Sequence, residues 1–268
     1  MLKKSRNILW SAVAFVGVLL CSCNGPDIPV PEPEIPAERI IAYTASEQTA
    51  PFATGAFMAR IQDNRFTPEG EGGSGEIIFE SPVFAIGNIA FMNCTSLWSV
   101  EIPSEVTMIG RKAFEGCKSL QRVDILGDKI VTIGSEAFLN CESLEEITIP
   151  DEVVEISVHT FDGCKSLRTI NFGTGVTDIY DKAFYGCESL EVLDIPANVI
   201  FLGNNCFDGA ESLQEVYIRG DRVLEIGYRA FSTAKSDLRI YVPADLVDEY
   251  KANTLWSTYV NNLHPLKN

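Results

Sequence analysis

A motif of 23 or 24 residues recurs along the chain and constrains its fold more than any other feature. Its clearest copy is IGSEAFLNCESLEEITIPDEVVE, residues 133–155. One phenylalanine marks each copy, and successive ones are 23, 24, 23, 23, 23 and 24 residues apart. These residues are Phe91, Phe114, Phe138, Phe161, Phe184, Phe207 and Phe231. A fixed period in this range predicts a solenoid, in which each copy forms one coil that stacks on the next.

Each copy also contains local signals for a strand, its end and a tight turn. Ile147 and Ile149 alternate with Thr148, which predicts a strand with one buried face. Pro150 ends that strand because proline has no N–H to donate to a neighbouring strand. The segment AFLNC at 137–141 has the apolar spacing of one helical turn. A single coil cannot bury its apolar side alone, so we expect the coils to stack about 4.8 Å apart.

The segment AF-x-x-C-x-SL is nearly unbroken in six copies. In this motif, and over about residues 77–260, the chain resembles the BspA-type (Treponema pallidum-type) leucine-rich repeats of bacterial surface proteins. The resemblance implies a right-handed superhelix of short parallel strands and short helical turns, with strands capping the N-terminal end and helices the C-terminal end. It also implies a non-catalytic surface protein that binds host matrix proteins or bacterial surface proteins.

The first 22 residues have the features of an export signal. Three basic residues precede a mostly apolar run over residues 8–21, and LCSC at 20–23 has the form of a lipobox. The apolar run is too short to span a membrane, so we predict a lipoprotein signal peptide with Cys23 as the lipid acceptor. We therefore expect a lipid anchor in the outer membrane and display at the cell surface. A signal that stays uncleaved, or is cleaved nearby without lipid, is the alternative.

Four further segments follow the signal. Residues 23–38 are rich in proline, which predicts an extended tether. Residues 39–76 are expected to form a cap of short strands with a flexible glycine-rich loop at 69–75. Residues 77–243 form the repeats, starting with a degenerate copy that has Ile77 and Phe79 at its strand positions. Residues 244–268 are expected to form a helical cap, with Asp245 as the N-cap and Trp256 packed inside rather than stacking on a ligand.

Charge excludes some classes of partner. Removal of the three basic residues of the signal leaves 18 basic and 37 acidic residues, a net charge of −19. Such a surface repels nucleic acid and anionic lipid, so we expect no nucleic-acid partner and membrane contact only through the N-terminal lipid. We expect a monomer that binds a protein partner and needs no cofactor.

Six cysteines follow the lipobox, and none of them forms a C-x-x-C pair that would suggest a metal site. They are Cys94, Cys117, Cys141, Cys164, Cys187 and Cys206. Parallel side chains on stacked coils hold their Cβ atoms too far apart for an unstrained disulfide, so we predict buried thiols. The serine that precedes the strand leucine of each copy is expected to hydrogen-bond turn backbone between coils. Neither histidine has a catalytic motif partner, so no catalytic or metal-binding residue is predicted.

The outward strand positions are the candidate binding surface, called the strand face below. Its residues are Glu101, Asp124, Thr148, Asn171, Asp194, Tyr217 and Tyr241. Side chains that vary in kind on a regular scaffold suit a binding surface, and exposed tyrosines are natural anchors for a partner. Two alternatives stay open: a solvated sheet that binds nothing, or a structural spacer or assembly component of the cell envelope.

The tripeptide Arg219-Gly220-Asp221 resembles an integrin-recognition motif. It lies where one of the two 24-residue copies replaces the usual strand-ending proline. Glycine and aspartate are the residues that a longer turn favours. Turn formation therefore explains two of the three residues without a role in integrin binding.

The Cys23→Ala variant should remain unlipidated and should leave the membrane fraction, because the lipid acceptor is gone. Radiolabelled palmitate and membrane fractionation measure both effects. A variant that still incorporates palmitate would contradict the lipobox assignment.

Overall fold

The seven phenylalanines of the repeat stack face to face through the domain. Neighbouring ring centroids are 5.1–5.7 Å apart and the rings lie within 10° of parallel. The computed structural model describes residues 34–232, 234 and 237–267. The chain divides into two units, Met1–Glu34 and Ile35–Asn268, and nearly all described residues belong to the second. Cys23 and the signal lie outside the described residues.

Two rows of strands run beside the ring stack. Three longer strands come first: β1 (Ile40–Ala45), β2 (Ile61–Glu69) and β3 (Gly72–Phe79). The chain then alternates between a back wall of two-residue strands and a front sheet of three- to six-residue strands. In chain order these are β4 (Ala85–Ile86), β5 (Leu97–Ile102), β6 (Met108–Ile109), β7 (Arg122–Ile125), β8 (Thr132–Ile133), β9 (Glu146–Thr148), β10 (Glu155–Ile156), β11 (Thr169–Asn171), β12 (Asp178–Ile179), β13 (Val192–Ile195), β14 (Phe201–Leu202), β15 (Glu215–Ile218), β16 (Glu225–Ile226) and β17 (Arg239–Val242).

Strands of one row pair in parallel, one copy of the motif apart. In the front sheet, Leu193 of β13 pairs with Val216 of β15, and in the back wall Ile179 of β12 pairs with Leu202 of β14. The inward residues of both rows are buried against the phenylalanine stack. The predicted repeat solenoid is therefore confirmed, with one coil per copy.

The segment predicted as a helical turn is a pair of tight turns that bond to the next coil. The residue two before each phenylalanine has a positive φ of 52–60°. Within coil three, the Cys141 N–H donates to the Phe138 carbonyl at 3.1 Å, but the Phe138 N–H donates to Thr160 of the next coil at 2.9 Å. An α-helical turn would keep such N–H groups within its own coil, whereas here they link neighbouring coils.

The prediction that the serine hydroxyls hydrogen-bond between coils is wrong. The backbone N–H groups, not the hydroxyls, bond between coils: those of Ser143, Ser166, Ser189 and Ser212 donate to the preceding coil at 3.0–3.2 Å. Six copies carry a serine before the strand leucine. Among the described residues, only the Ser96 hydroxyl of this set makes a hydrogen bond, to Thr49 Oγ1 at 3.2 Å. The other hydroxyls are half-buried at the edge of the turn, where water reaches them.

The N-terminal cap covers the first coil with an inserted antiparallel strand. β1 lies between β3 and β5 and is antiparallel to both, so the strand that carries Ile77 and Phe79 does not stack directly on the first complete coil. Phe57 packs its ring on Phe91 at 5.5 Å in an edge-on arrangement that ends the stack.

The glycine-rich segment at 69–75 is ordered as a hairpin rather than a flexible loop. β2 ends at Glu69 and β3 begins at Gly72, so only two residues form the turn. A Cβ atom at Gly75 would overlap the Tyr43 ring, and one at Gly72 would overlap Trp98. The glycines thus make room for aromatic rings of neighbouring strands, which composition alone does not reveal.

The C-terminal cap consists of helix α1 (Val247–Ala252), a 3₁₀ helix (Thr254–Asn262) and strand β18 (Leu263–Pro265), which pairs in parallel with β17. The predicted N-cap is wrong by one residue: Leu246 is the N-cap, without a side-chain cap bond, and Asp245 lies in the preceding turn. Trp256 is fully buried, as predicted. None of the helices in the described part of the chain is long and apolar enough to cross a membrane.

Side chains of this cap replace the backbone of a further coil. The Trp256 indole N–H donates to the Leu224 carbonyl at 2.8 Å, and the Leu224 N–H donates to the Tyr250 hydroxyl at 2.9 Å. Burial raises the pKa of Tyr250 to about 12. The Tyr259 ring packs edge-on against Phe231 at 5.8 Å and ends the ring stack on this side.

Phe161→Ala should lower the free energy of unfolding by about 3–5 kcal/mol, because the ring is fully buried and its loss opens a cavity between two coils. Thermal and urea unfolding followed by circular dichroism measure the effect. Phe52→Ala, at a phenylalanine that is 59% exposed, is the control and should change it by only about 0.5 kcal/mol. Equal effects of the two changes would show that the repeat phenylalanines are not the core.

Candidate functional site

The strand face forms one column on the outer side of the front sheet. Its neighbours are in register where the strands pair, for example Glu101 with Asp124, Thr148 with Asn171, and Asp194 with Tyr217. Asp124 and both tyrosines are half-buried, and the other four residues are exposed. The front sheet is divided into three ladders, with breaks between β7 and β9 and between β11 and β13. The column is therefore continuous in position but not in backbone pairing.

The two tyrosines at the C-terminal end of the strand face stack on each other. The ring centroids of Tyr217 and Tyr241 are 4.9 Å apart and the rings are 11° from parallel. The guanidinium of Arg219 lies 5.0 Å from the Tyr217 centroid, and the ring of His264 lies 5.7 Å from that of Tyr241. We call these four side chains the aromatic column. Arg219 and His264 flank the tyrosine pair on its two sides.

Carboxylates hold the aromatic column in place. Arg219 donates from Nε and Nη2 to the two carboxylate oxygens of Asp194 at 2.9 and 2.8 Å. The Tyr217 hydroxyl donates to Glu215 at 2.7 Å, and Arg239 lies 2.7 Å from the same carboxylate. The hydrogen bond to Glu215, aided by burial, raises the pKa of Tyr217. These charge-assisted bonds orient the rings before any partner arrives.

The integrin-like tripeptide is not displayed as a free turn. Arg219 is committed to Asp194 and to the Tyr217 ring, and Gly220 is buried. Asp221 is exposed, and its carboxylate lies 3.2 Å from Arg222. Arg219 is thus part of the aromatic column, a role that sequence reasoning missed because it treated the tripeptide as one unit.

Sequence reasoning also missed His264 and Arg239. His264 extends the column only because β18 adds a further strand beyond β17, and residues 263–265 do not follow the repeat pattern. Arg239 occupies the strand position next to Glu215, at the place where earlier copies have Arg122, Glu146 and Thr169. The ion pair of Arg239 with Glu215 joins two coils and depends on the side-chain conformations.

The cysteines form a second ladder, inside the solenoid. Cys117, Cys141, Cys164 and Cys187 are fully buried, and each thiol donates to the phenylalanine carbonyl one coil earlier at 3.0–3.5 Å. Burial raises the pKa of every described thiol, to about 11 at the half-buried Cys94. All six are free thiols. No group of three or more metal-ligating side chains occurs in the described ranges, and His159 pairs locally with Asp162 at 2.7 Å.

The coils, the ring stack and the caps define a leucine-rich-repeat solenoid. The profile of the BspA type leucine rich repeat region matches residues 61–152 and 131–253, with six copies. These matches cover more than half of the chain, and the protein therefore belongs to this family.

Several solved structures resemble the chain, among them three leucine-rich repeat proteins of bacteria. A leucine rich cell surface protein from Faecalibacterium prausnitzii is 39% identical over 52% of this chain and 37% of its own, with a TM-score of 0.49. A leucine-rich repeat protein from Bacteroides ovatus is 26% identical over 70% and 47%, with a TM-score of 0.58. The T. pallidum leucine rich repeat protein is 30% identical over 59% and 75%, with a TM-score of 0.53.

The chain thus spans less than half the length of the first two structures. None of the curated proteins matches this sequence.

Iodoacetamide at pH 8 should leave Cys117, Cys141, Cys164 and Cys187 unmodified in the native protein. Alkylation needs the thiolate, and burial both raises the thiol pKa and excludes the reagent. Peptide mapping by mass spectrometry measures the modification at each residue. The same protein unfolded in guanidinium chloride is the control and should react at all four. Rapid native-state modification of Cys141 would contradict the buried ladder.

Proposed function

We propose that this protein is a lipid-anchored surface protein that binds a protein partner through the strand face. The partner belongs to a host matrix or to another bacterial surface, and the lipid is carried by Cys23. The supporting observation is the aromatic column, in which Tyr217 and Tyr241 are stacked and held between Arg219 and His264. Preorganised tyrosines reduce the entropy that a binding surface loses on association.

The arrangement of the rings favours one kind of contact. The ring faces of Tyr217 and Tyr241 cover each other, so a partner meets mainly ring edges and hydroxyl groups. Ring edges carry partial positive charge, which attracts carbonyl and carboxylate oxygens of a protein. A sugar that stacks flat on an aromatic face has no free tyrosine pair on which to lie. This argument favours a protein partner over a glycan.

The charges around the column support the same location. Arg219 and Arg239 are each paired with a carboxylate, so this end of the strand face is close to neutral. Glu101 brings negative charge to the N-terminal end of the strand face, where Asp124 is paired with Arg122. A partner that approaches the tyrosines need not strip water from unpaired carboxylates, which is costly. We therefore place the energetic centre of the interface at Tyr217 and Tyr241.

The first test distinguishes binding from a purely structural role. The purified lipoprotein, kept in detergent, is mixed with surface-protein extracts, and captured proteins are then titrated individually. Saturable binding by a monomer supports the proposal. Concentration-dependent self-association in sedimentation velocity, without saturable binding to any captured protein, supports the envelope-spacer alternative.

Tyr217→Ala combined with Tyr241→Ala should weaken binding at least tenfold, ~1.4 kcal/mol or more, because both anchors are removed. Asp221→Ala should leave the dissociation constant nearly unchanged, because Asp221 is outside the column. Isothermal titration against the captured partner measures both.

Tyr185→Ala, at a 38% exposed tyrosine outside the strand face, is the matched control. Circular dichroism establishes that all variants fold. Loss of binding with Asp221→Ala, but not with the tyrosine pair, would place the site at the tripeptide.

A further inference from the structure

A row of backbone donors runs along the turn side of the solenoid. The N–H of the positive-φ residue in each coil donates to a carbonyl of the next coil, at 2.9–3.2 Å in six successive coils. The donor and acceptor pairs are Ile89 with Arg111, Lys112 with Ser135, Glu136 with Val158, His159 with Asp181, Lys182 with Asn204, and Asn205 with Tyr228. In every coil except the last, the N–H of the positive-φ residue is therefore bonded to a peptide carbonyl of the next coil.

Arg229 is the seventh donor of the row and has no following coil. Its φ is +56°, like that of the other six residues. Among the described residues, its backbone N–H makes no hydrogen bond. The nearby Phe231 N–H is different, because it donates to the Tyr259 hydroxyl at 3.1 Å. Of these two donors, the C-terminal cap pairs the Phe231 N–H and leaves the Arg229 N–H open.

A cavity of about 510 Å³ lies at the open donor. Its lining includes Tyr228, Arg229, Ser232, Thr254, Leu255 and Tyr259. This volume is within the range of small-ligand and peptide-side-chain sites. Tyr228 is 74% exposed and Leu255 is 50% exposed, so two large apolar side chains flank the cavity without a cover among the described residues.

The charged groups at the cavity supply donors rather than free acceptors. The Arg229 side chain is 47% exposed, and its guanidinium contacts Asp208 at 3.6 Å and the Ser232 hydroxyl at 3.1 Å. Asp208 is only 6% exposed and also accepts from Asn205 and Ser232. The Asp208 carboxylate is thus already paired inside the protein, and Arg229, which lines the cavity, carries both the guanidinium and the open N–H. A ligand for this site must bring acceptor oxygens.

We propose that this cavity binds an extended peptide segment of a partner protein, independently of the strand face. A backbone carbonyl of that segment accepts the Arg229 N–H, and one of its apolar side chains packs between Tyr228 and Leu255. The six preceding coils show which chemistry fits this place, because a peptide carbonyl occupies it each time. A bound segment continues the inter-coil interface by one hydrogen bond, as an added strand continues a sheet.

The test is a selection from a random-peptide library displayed on phage, with the purified protein as the target. Selected peptides should bind Tyr228→Ala and Leu255→Ser roughly tenfold more weakly or worse, since each change removes one wall of the cavity. Both side chains are at least half exposed, so neither variant should unfold. Val158→Ala is the matched control: it is at the same place three coils earlier, 42% exposed, and should bind normally.

Amide NMR of the same samples locates the contact. On peptide addition the Arg229 amide resonance should shift and its hydrogen exchange should slow, while the already bonded Asn205 amide should not change. Three results would each overturn the proposal: no enriched peptide, enriched peptides that bind both variants as well as the parent, or an Arg229 amide that is protected without peptide. Shifts caused by a methyl glycoside or acetate alone would show that the ligand class is wrong.

The outcome is separable from the strand-face proposal. Tyr217→Ala with Tyr241→Ala should leave peptide binding at the cavity unchanged, since neither tyrosine lines it. Loss of cavity binding in that double variant would mean that the selected peptides bind the strand face instead.

Discussion

The structure depends on hydrogen bonds that no coil can make by itself. Each turn presents N–H groups whose acceptors are carbonyls of the following coil, as with Phe138 and Thr160. The phenylalanine rings follow the same rule, because each ring is buried only when another lies on both of its faces. Stability is therefore shared between neighbours, as expected for a repeat protein, and the ends of the stack are its weak places.

The two ends meet this constraint differently. At the N-terminal end an inserted antiparallel strand, β1, supplies the backbone for β5, and Phe57 covers the first ring. At the C-terminal end, side-chain groups of Tyr250, Trp256 and Tyr259 take the place of backbone groups. Side chains reach only selected donors and acceptors, so this cap is less complete than a further coil. The open N–H of Arg229 results from that difference.

Both proposed binding places lie towards the C-terminal end, for a common reason. A regular interior coil has its backbone groups bonded and its outer side chains separated by about 4.8 Å. Successive interior coils therefore present similar surfaces to a partner. Near the cap the repeat changes, and residues outside the motif, such as His264 and Leu255, come beside repeat positions. New combinations of side chains arise where regularity ends. The same reasoning explains why loops and ends of rigid scaffolds carry function.

The period of the motif was sufficient to predict the solenoid, the buried phenylalanines and cysteines, and the outward register from Glu101 to Tyr241. Those features are set by spacing alone, because every interior coil has the same neighbours. The antiparallel insertion of β1, the pairing of β18 with β17, the placement of Arg219 on Tyr217 and the open donor at Arg229 were not predictable in this way. Each of these contacts occurs at a place whose surroundings are not repeated in any other coil. Only the folded structure decides such contacts, because they depend on which atoms remain unpaired after the coils have stacked.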